Sequence, residues 1–202
     1  MGKTPTLNPL VESNIDGSAI TLGESEEQKA RWLPKLASGE TTGTLAVDEG
    51  PGHDPANLAT QVRNSALTGT KRFILERHGA DVFIEAAMDG LYLVEPGHGV
   101  TPTTRRLADM RSHADVESHA AQTQKFSEGC EDLLDRVLDQ ARMLTACETL
   151  GMVQQVFDTT LSYLKQRVQF DQVPATFQTL QHRMANLFYR TRQNAQRGRG
   201  RM

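Results

Sequence analysis

The stretch from Tyr163 to Arg183, YLKQRVQFDQVPATFQTLQHR, carries the residues whose types and spacing most clearly indicate chemistry. Its pattern predicts the end of one helix, a short break that contains proline, and the start of another helix. Arg167 lies at the predicted helix end, and its guanidinium has a fork of donors that matches diphosphate oxygens. Gln178, eleven residues later, can donate to or accept from the same ligand. The stretch fits a site for a phosphate-bearing ligand, and the alternative is a helix corner whose polar residues face water.

A second polar stretch, HADVESH, has the residue types of a metal site. Side chains alternate between the two faces of a strand, so a strand here would place four potential ligands on one face. These are His113, Asp115, Glu117 and His119. We favour a solvated sheet face, with small and apolar residues on the other side, because nothing in the sequence fixes the ligands into a closed geometry. No metal ligand is assigned.

The elements that position these residues differ along the chain. Residues 1–40 read as helical: Ser25 and Gln28 have the spacing of a capping box, and Pro34 predicts a kink or a break. Strand periodicity then fills residues 41–125. This region is predicted to be a β-domain built on an antiparallel sheet.

The clearest strand signal is the sequence DVFIEAAMDGLYLVEP. Asp89 and Gly90 are the preferred pair for a two-residue type I′ turn, and they link two apolar runs. The sequence therefore predicts a β-hairpin with Asp89 and Gly90 as its turn residues.

Helical periodicity returns from about Ser127 and predicts one helix of roughly 40 residues, ending near Arg167. A second helix is predicted from about Thr176 to Arg192. Two amphipathic helices of this length normally sit in a bundle of four. Residues 126–193 are therefore predicted to be part of a helical bundle. The predicted fold class is α+β, with an antiparallel β-domain followed by part of an α-helical bundle.

The composition, 38% hydrophobic and 23% charged over 202 residues, is typical of a globular protein. No apolar run approaches the roughly 18 residues that a membrane span requires. Residues 194–202 are interpreted as a disordered basic tail, because arginine and glycine without apolar residues cannot form a core. Such a short tail gives only non-specific attraction, so no specific nucleic-acid partner is predicted.

The two cysteines, Cys130 and Cys147, lie 17 positions apart. On one helix they would be separated by roughly 25 Å, which is too far for a disulfide. This favours a reducing, cytoplasmic compartment.

Three stretches resemble the flavin-dependent acyl-CoA dehydrogenase family. LGESEEQKARWLPKLASGE is similar to the segment that leads into the family's β-domain, and LAVDEGPGHDP with LTGTKRFILERHGADVFIEAA is similar to its flavin face. LGMVQQVFDTTLSYLKQRVQFDQVPATFQTLQHR is similar to the long helix and corner of its C-terminal bundle. The likeness covers Pro9 to about Tyr189, and it is nearest in kind to bacterial pimeloyl-CoA-dehydrogenase-like subunits.

The resemblance implies a helical domain, a β-domain and a four-helix bundle, with FAD between the last two and across a subunit contact. It also implies a chain shortened at both ends. The positions that match the family's cofactor site are Val47, Asp48, Phe73, Ile74, Leu75, Arg167, Phe170 and Gln178. The candidate substrate-binding residues are His53 and Arg142.

Several of these positions depart from the family pattern. The family loop Thr-Glu-Pro-x-x-Gly-Ser-Asp appears here as DEGPGHD, which is one residue shorter. Asp48 replaces the threonine that usually bonds the flavin, and His53 replaces the serine near the pyrophosphate. Leu75 replaces a threonine or serine, and Asp171 replaces the glycine after Phe170. Each departure is expected to weaken FAD binding.

The family's reaction also needs a carboxylate that removes a proton next to the thioester carbonyl. In one branch of the family this glutamate precedes an arginine on the long helix, where this chain has Ala141 and Arg142. Glu148, about two helical turns away, is a possible displaced base, and we interpret it as a polar bundle residue. No catalytic residue is assigned.

Two functions follow from the resemblance. The first is an FAD-dependent dehydrogenase that acts on an acyl-CoA thioester and passes electrons to an electron-transfer flavoprotein. The second is a non-catalytic partner subunit that keeps the FAD-facing scaffold and lacks the base. Both imply a homo- or hetero-oligomer.

Overall fold

The computed structural model of the chain describes residues 10–23, 26–75, 80–107, 112–126 and 132–199. In chain order its elements are α1 (Leu10–Leu22), α2 (Glu26–Ser38), β1 (Gly43–Ala46), β2 (Gln61–Arg63), β3 (Ala66–Leu75), β4 (Val82–Ala87), β5 (Gly90–Val94), β6 (Val100–Arg106), β7 (Ser112–Lys125), α3 (Leu133–Gln166), a 3-10 turn (Pro174–Thr176) and α4 (Gln178–Arg199). The chain divides into two compact units. The sheet unit is Pro9–Ala141, and the helical unit contains Arg142–Met202.

The sheet unit is organised around seven strands in the described residues. Their order is β1-β4-β5-β7-β3-β2, and β6 also pairs with β7. All pairs are antiparallel except β1 and β4, which run parallel because the chain travels through β2 and β3 before β4 joins β1. The predicted α+β class is confirmed, and the parallel pair makes the sheet mixed.

The predicted hairpin between β4 and β5 is present, but its turn lies one residue earlier than predicted. Ala87 pairs with Gly90, so the two loop residues are Met88 and Asp89. Neither of them has a positive φ, whereas a type I′ turn needs one at both positions, so the predicted turn type is wrong. Gly90 instead begins β5 with a φ of +143°, which favours glycine.

Side-chain contacts explain why Asp89 takes the earlier turn position. Its carboxylate accepts a hydrogen bond from the Tyr92 hydroxyl at 2.7 Å and another from the Lys125 ammonium at 3.1 Å. These bonds lower the pKa of Asp89 although partial burial acts to raise it. The turn is therefore held by contacts with β5 and β7 that local turn preferences do not contain.

The core of the sheet unit lies on both faces of β4, whose six residues are all buried. Val82, Ile84 and Ala86 pack in one cluster with helix residues such as Trp32. Phe83 and Ala87 alternate with them and pack in a second cluster between the strands. Burial on both faces explains why this strand is an almost continuous apolar run.

Helix α2 continues through Pro34, where a kink or break was predicted. Trp32 is buried, and Leu33 and Leu36 pack against the same core, so tertiary contacts hold the helix on both sides of the proline. Ser25, the predicted cap, lies outside the described residues. Its predicted partner Gln28 is buried and donates to the Lys125 carbonyl at 3.4 Å.

The helical unit is described from Arg142 to Arg199. Helix α3 has 34 residues instead of the roughly 40 that its periodicity predicts. Helix α4 reaches Arg199, so residues 194–199, predicted as part of a disordered tail, are helical, since Gln, Ala and Arg all sustain helices. No helix in the described ranges combines the length and the apolar character needed to span a membrane.

The helical unit leaves much of its apolar surface exposed in this structure. The exposed large hydrophobic residues of the unit are Met143, Val153, Val156, Tyr163, Val168, Phe170, Phe177, Leu187, Phe188 and Tyr189. Such a surface is typical of helices that pack in a larger bundle.

Candidate functional site

Phe73 and Leu75, at the end of β3, form an exposed apolar edge on the sheet unit. The Phe73 side chain is 55% exposed and that of Leu75 is 40% exposed. Ile74 between them is buried in the core, so a ligand at this edge would meet only its backbone. Phe73 has a φ of +57° and lies in a register shift between Lys71 and Ile74. This irregularity turns the ring outward.

Contacts with β1 and β7 hold this edge in place. The Phe73 ring stacks on the His113 ring at 6.1 Å between centroids, and the Phe73 amide donates to an Asp115 carboxylate oxygen at 3.3 Å. The Leu75 carbonyl accepts a hydrogen bond from the Thr44 hydroxyl at 2.7 Å. Phe73 is therefore fixed although it is an exposed residue in a left-handed conformation.

The HADVESH stretch is only partly the solvated face that we predict. Glu117 and His119 are exposed, but His113 is buried and supports the Phe73 ring. In the described part of the chain, no group of three or more His, Cys, Asp or Glu side chains is arranged to hold a metal ion. The four potential ligands therefore do not form one metal-binding cluster.

The chain that leaves β1 runs beside the Phe73 edge. The Arg72 amide donates to the Asp48 carbonyl at 2.7 Å, which ties Asp48 to β3. Val47 is buried, and the Asp48 carboxylate lies 2.7 Å from Nδ1 of His53. Three of the predicted site residues, Val47, Asp48 and His53, are therefore brought together in one loop next to Phe73.

A buried ion pair anchors that loop, and the sequence interpretation missed it. The Lys71 ammonium has no exposed surface and donates to the Glu49 carboxylate at 2.7 Å and to the Val47 carbonyl at 3.1 Å. The sequence could have indicated the pair, because alternation of side chains along β3 puts Lys71 on the same face of the strand as the buried Leu67. A lysine on the inward side of a strand must find a buried anion.

The Glu49 carboxylate also joins the start of the loop to its end at Ala59 and Thr60. It accepts hydrogen bonds from the amides of Ala59 and Thr60 at 2.6 and 3.1 Å and from the Thr60 hydroxyl at 2.6 Å. Partial burial acts to raise the pKa of Glu49, but the bonds from Lys71, Thr60 and Ala59 outweigh it and lower the pKa to about 2. Glu49 is therefore charged at neutral pH.

A second buried carboxyl group, Glu85, lies on β4 and was also missed. It accepts a hydrogen bond from the Ser118 hydroxyl at 3.0 Å, while its other oxygen has no hydrogen-bond partner among the described residues. Burial raises the pKa of Glu85, against the effects of the Ser118 bond and the Lys71 charge. Because Glu49 already neutralises Lys71, burial favours the protonated form of Glu85.

In the helical unit, Arg167 and Phe170 lie at the corner after α3, and Gln178 begins α4. The Arg167 guanidinium lies 5.2 Å from the centroid of the Tyr163 ring, and it makes no ion pair with a described residue. Its side chain is exposed, as is that of Gln178. An exposed guanidinium without an ion pair to a described residue suits an anionic ligand.

The corner itself is a tight turn. Gln169 and Gln172 exchange backbone hydrogen bonds at 2.9 and 3.0 Å, and Phe170 and Asp171 between them have φ values of +52° and +57°. Phe170 is 91% exposed. Positive φ at the Asp171 position explains why glycine suits this place, and aspartate is among the few other residues that tolerate it.

The other predicted positions lie on α3. Arg142 is exposed, Ala141 is partly buried, and Glu148 is partly buried two turns further along the helix. The structure therefore places the predicted residues in three parts of the chain: the edge around Phe73, the corner around Arg167, and the first half of α3.

The chain is similar to known proteins over most of its length. The family model described as "Acyl-CoA dehydrogenase, C-terminal domain" matches residues 127–196. Mitochondrial isovaleryl-CoA dehydrogenase of Pongo abelii is 29% identical over 203 aligned residues, which cover 88% of this chain and 48% of the relative. An acyl-CoA dehydrogenase of Bacillus subtilis is 28% identical, with 88% of this chain and 53% of the relative covered.

Solved structures give the same result. A glutaryl-CoA dehydrogenase of Mycobacterium smegmatis in complex with FADH2 is 26% identical, with a TM-score of 0.79 over 94% of this chain and 55% of that one. An acyl-CoA dehydrogenase of Geobacillus kaustophilus is 28% identical, with a TM-score of 0.77 over 86% of this chain and 52% of that one. The chain spans about half the length of the relatives it matches. Residues 127–196 thus match the C-terminal domain of the acyl-CoA dehydrogenase family, and the chain is similar to members of that family over most of its length.

Proposed function

We propose that this chain is an FAD-dependent oxidoreductase subunit that acts on the CH–CH group next to the carbonyl of an acyl-CoA thioester. The observation that carries the proposal is the exposed Phe73–Leu75 edge, fixed beside the Asp48 loop in a chain that is similar to acyl-CoA dehydrogenases. A flat, partly apolar heterocycle would cover that edge and meet backbone polar groups at its rim.

The Phe73 edge and the Arg167 corner each carry residues that suit a part of FAD. Phe73 and Leu75 supply an apolar wall that excludes water from one side of a flavin ring, and the Val47–Asp48 backbone supplies polar contacts. Arg167 and Gln178 supply a guanidinium and an amide for a diphosphate. When bound, the flavin accepts the hydride that leaves the β-carbon of the thioester.

His53 and Arg142 are the proposed substrate-binding residues. His53 lies on the exposed side of the loop, where the Asp48 carboxylate orients its ring through Nδ1. Because a carboxylate oxygen only accepts, Nδ1 of His53 is the donor in this contact. Arg142 provides a positive charge suited to the phosphates of coenzyme A.

Removal of the α-proton is the step for which no residue is assigned. Ala141 stands where one branch of the family has its glutamate, and Glu148 lies two turns away along α3. We therefore expect the base to come from outside the described residues, either from this chain or from a partner.

The exposed apolar surface of the helical unit favours a second candidate function, a non-catalytic partner subunit. Residues such as Val156, Leu187 and Phe188 would be covered if further helices completed a bundle. We propose a homo- or hetero-oligomer on this ground. One solved structure of 26% identity and TM-score 0.85 is titled as a Tcur3481-Tcur3483 steroid ACAD variant, which names two components. The electron-transfer flavoprotein as acceptor and the cytoplasmic location remain predictions.

The test is to produce the 202-residue chain alone and together with candidate partner subunits, and to record the visible spectrum of each preparation. Each flavin-containing sample is then mixed anaerobically with branched, dicarboxylic and steroid CoA thioesters. Bleaching of the flavin band by a thioester supports the dehydrogenase. A flavin band that no thioester bleaches, in any combination of subunits, supports the non-catalytic subunit.

A further inference from the structure

Lys71 connects the hydrophobic sheet to the loop that borders the Phe73 edge. Its ammonium is fully buried, and both of its hydrogen-bond acceptors, the Val47 carbonyl and the Glu49 carboxylate, belong to that loop. Burial lowers the pKa of Lys71, and the bond and charge of Glu49 act to raise it. A buried charge is costly unless it is paired, so the loop must stay where these oxygens meet the ammonium.

The Lys71–Glu49 pair also affects the rest of the Val47–Thr60 loop. Glu49 holds the far end of the loop through the amides of Ala59 and Thr60. Residues 50–57, between Glu49 and the bonded amides, are mostly exposed and have little apolar packing to hold them. The Thr60 carbonyl in turn accepts a bond from the Met88 amide at 3.1 Å, which ties this end to the β4–β5 turn.

Lys71 also stands next to the irregular end of β3. It is paired with Val116 on β7, and the register shift begins immediately after it. The next residue, Arg72, donates its amide to Asp48, and the one after that is Phe73. The Lys71 side chain therefore bonds the loop two residues before Phe73, where the register of β3 begins to shift.

We propose that Lys71 is a positioning residue that fixes the Val47–Thr60 loop against β3 through the Val47 carbonyl and the Glu49 carboxylate. The clamp sets the distance between the backbone at Asp48 and the Phe73 ring, and so the shape of the edge that receives the flavin. The inference rests on the proposed function only in that the ligand at this edge is a flavin.

The alternative role of Lys71 is simple neutralisation of Glu49. The two roles differ when both charges are removed together. In Lys71→Met combined with Glu49→Gln, both charges are gone and the Val47 carbonyl has lost its donor. The introduced amide has one acceptor oxygen, so it can replace the carboxylate for the Thr60 donors or for the Ala59 amide but not for both. Neutralisation alone predicts that the Arg72 amide, which bonds the Asp48 carbonyl, exchanges as in wild type.

The experiment measures amide hydrogen exchange in the flavin-free 202-residue chain, with the amides of Ala59, Thr60 and Arg72 as reporters. We expect Lys71→Met to raise their exchange rates about tenfold or more while amides in β4 and β5 stay protected. The double variant should recover the melting temperature lost in Lys71→Met, yet its Arg72 amide should remain fast. Lys125→Met is the matched control, because it removes a lysine that pairs with Asp89 outside the loop, and it should leave all three reporters unchanged.

Reporter rates within about twofold of wild type in folded Lys71→Met, or full recovery of Arg72 protection in the double variant, would overturn the proposal. If Lys71→Met does not fold, the amide exchange rates of Glu49→Gln test the proposal instead. That variant keeps the Lys71 bond to Val47, and unchanged exchange of Ala59 and Thr60 in it would also overturn the clamp.

A second readout links the clamp to the ligand. After loading with FAD, the double variant should show a displaced visible absorption maximum and weaker flavin binding, while Lys125→Met should match wild type. A wild-type chain that takes up no flavin would contradict the proposed function, whereas the exchange rates of the flavin-free chain would still confirm or overturn the clamp.

Discussion

The Lys71 ammonium lies 2.7 Å from a carboxylate oxygen of Glu49, and no part of the lysine side chain is exposed. The pair joins β3 to the Val47–Thr60 loop, whose middle residues 50–57 are mostly exposed. Breaking a buried pair by removing one partner leaves an uncompensated charge, so single substitutions here should cost more than a matched double substitution.

Acid should weaken the fold through Glu49. The pKa of Glu49 is lowered from 4.5 to about 2 in the folded chain. A pKa below its unfolded value gives stability that is complete above pH 4.5 and is lost as the pH falls towards 2. We expect wild type to lose about 3 kcal/mol more than Glu49→Gln over that range, measured by urea unfolding at a series of pH values.

The control for this comparison is Glu117→Gln, which changes an exposed carboxylate of β7. Its pH profile should run parallel to that of wild type. Parallel profiles for wild type and Glu49→Gln would contradict the assignment of the acid sensitivity to Glu49.

Glu85 should have the opposite dependence on pH. Burial raises its pKa in the folded chain, so the stability linked to its protonated form is present below pH 4.5 and is lost as the pH rises through the raised value. Glu85→Gln keeps an acceptor for Ser118 without the charge. Relative to wild type, we expect this variant to gain stability as the pH rises from about 5 to about 8.

Denaturant unfolding at the two pH values measures that gain, and Glu95→Gln, an exposed carboxylate paired with Arg31, is the matched control. A constant difference between Glu85→Gln and wild type across this range would show that Glu85 does not titrate there.

Gly69→Ala should destabilise the sheet unit. A Cβ at Gly69 would collide with the Thr60 side chain, and the Thr60 hydroxyl is one of the donors to Glu49. We expect a loss of about 2 kcal/mol in the free energy of unfolding. Gly50→Ala is the control, because it has open space around it and no positive φ, and it should change stability by less than about 0.5 kcal/mol. Equal stabilities for the two variants would contradict the close packing of Thr60 on β3.

Asp171→Gly should stabilise the corner after α3. Asp171 has a φ of +57°, a conformation that glycine adopts without the strain of a side chain. We expect a gain of a few tenths to about 1 kcal/mol in thermal unfolding. The exposed Asp158, within α3, provides the contrast, since Asp158→Gly should cost about 0.5 kcal/mol of helix stability. A loss of stability in Asp171→Gly would mean that the aspartate side chain supports the turn.

Periodicity predicted the elements that are regular along the chain. The β4–β5 hairpin, the long helix α3 and the alternating face of β7 all follow from the spacing of apolar residues, and the fold class followed from their order. The hairpin turn was misplaced by one residue because Tyr92 and Lys125 hold Asp89, and no local preference contains contacts made from neighbouring strands.

The site was predictable only in part for a related reason. The resemblance to the family predicted site positions that include Asp48, Phe73 and Arg167, and these assignments stay predictions. It did not indicate the partners of Lys71 and Glu85, because these depend on which strands become neighbours. The register shift after Lys71 also interrupts the alternation of side chains between the two faces of β3. The outward direction of Phe73 therefore could not be predicted from its position in the strand.

The most direct test of the account is a titration of the 202-residue chain with FAD, alone and with each candidate partner subunit, followed by its visible spectrum after removal of free flavin. We predict a bound, spectrally shifted flavin, with affinity reduced about tenfold or more in Phe73→Ser and in Arg167→Ala. Arg183→Ala, an exposed arginine of α4, should bind as wild type does. A preparation that stays colourless with excess FAD and every candidate partner would contradict the account.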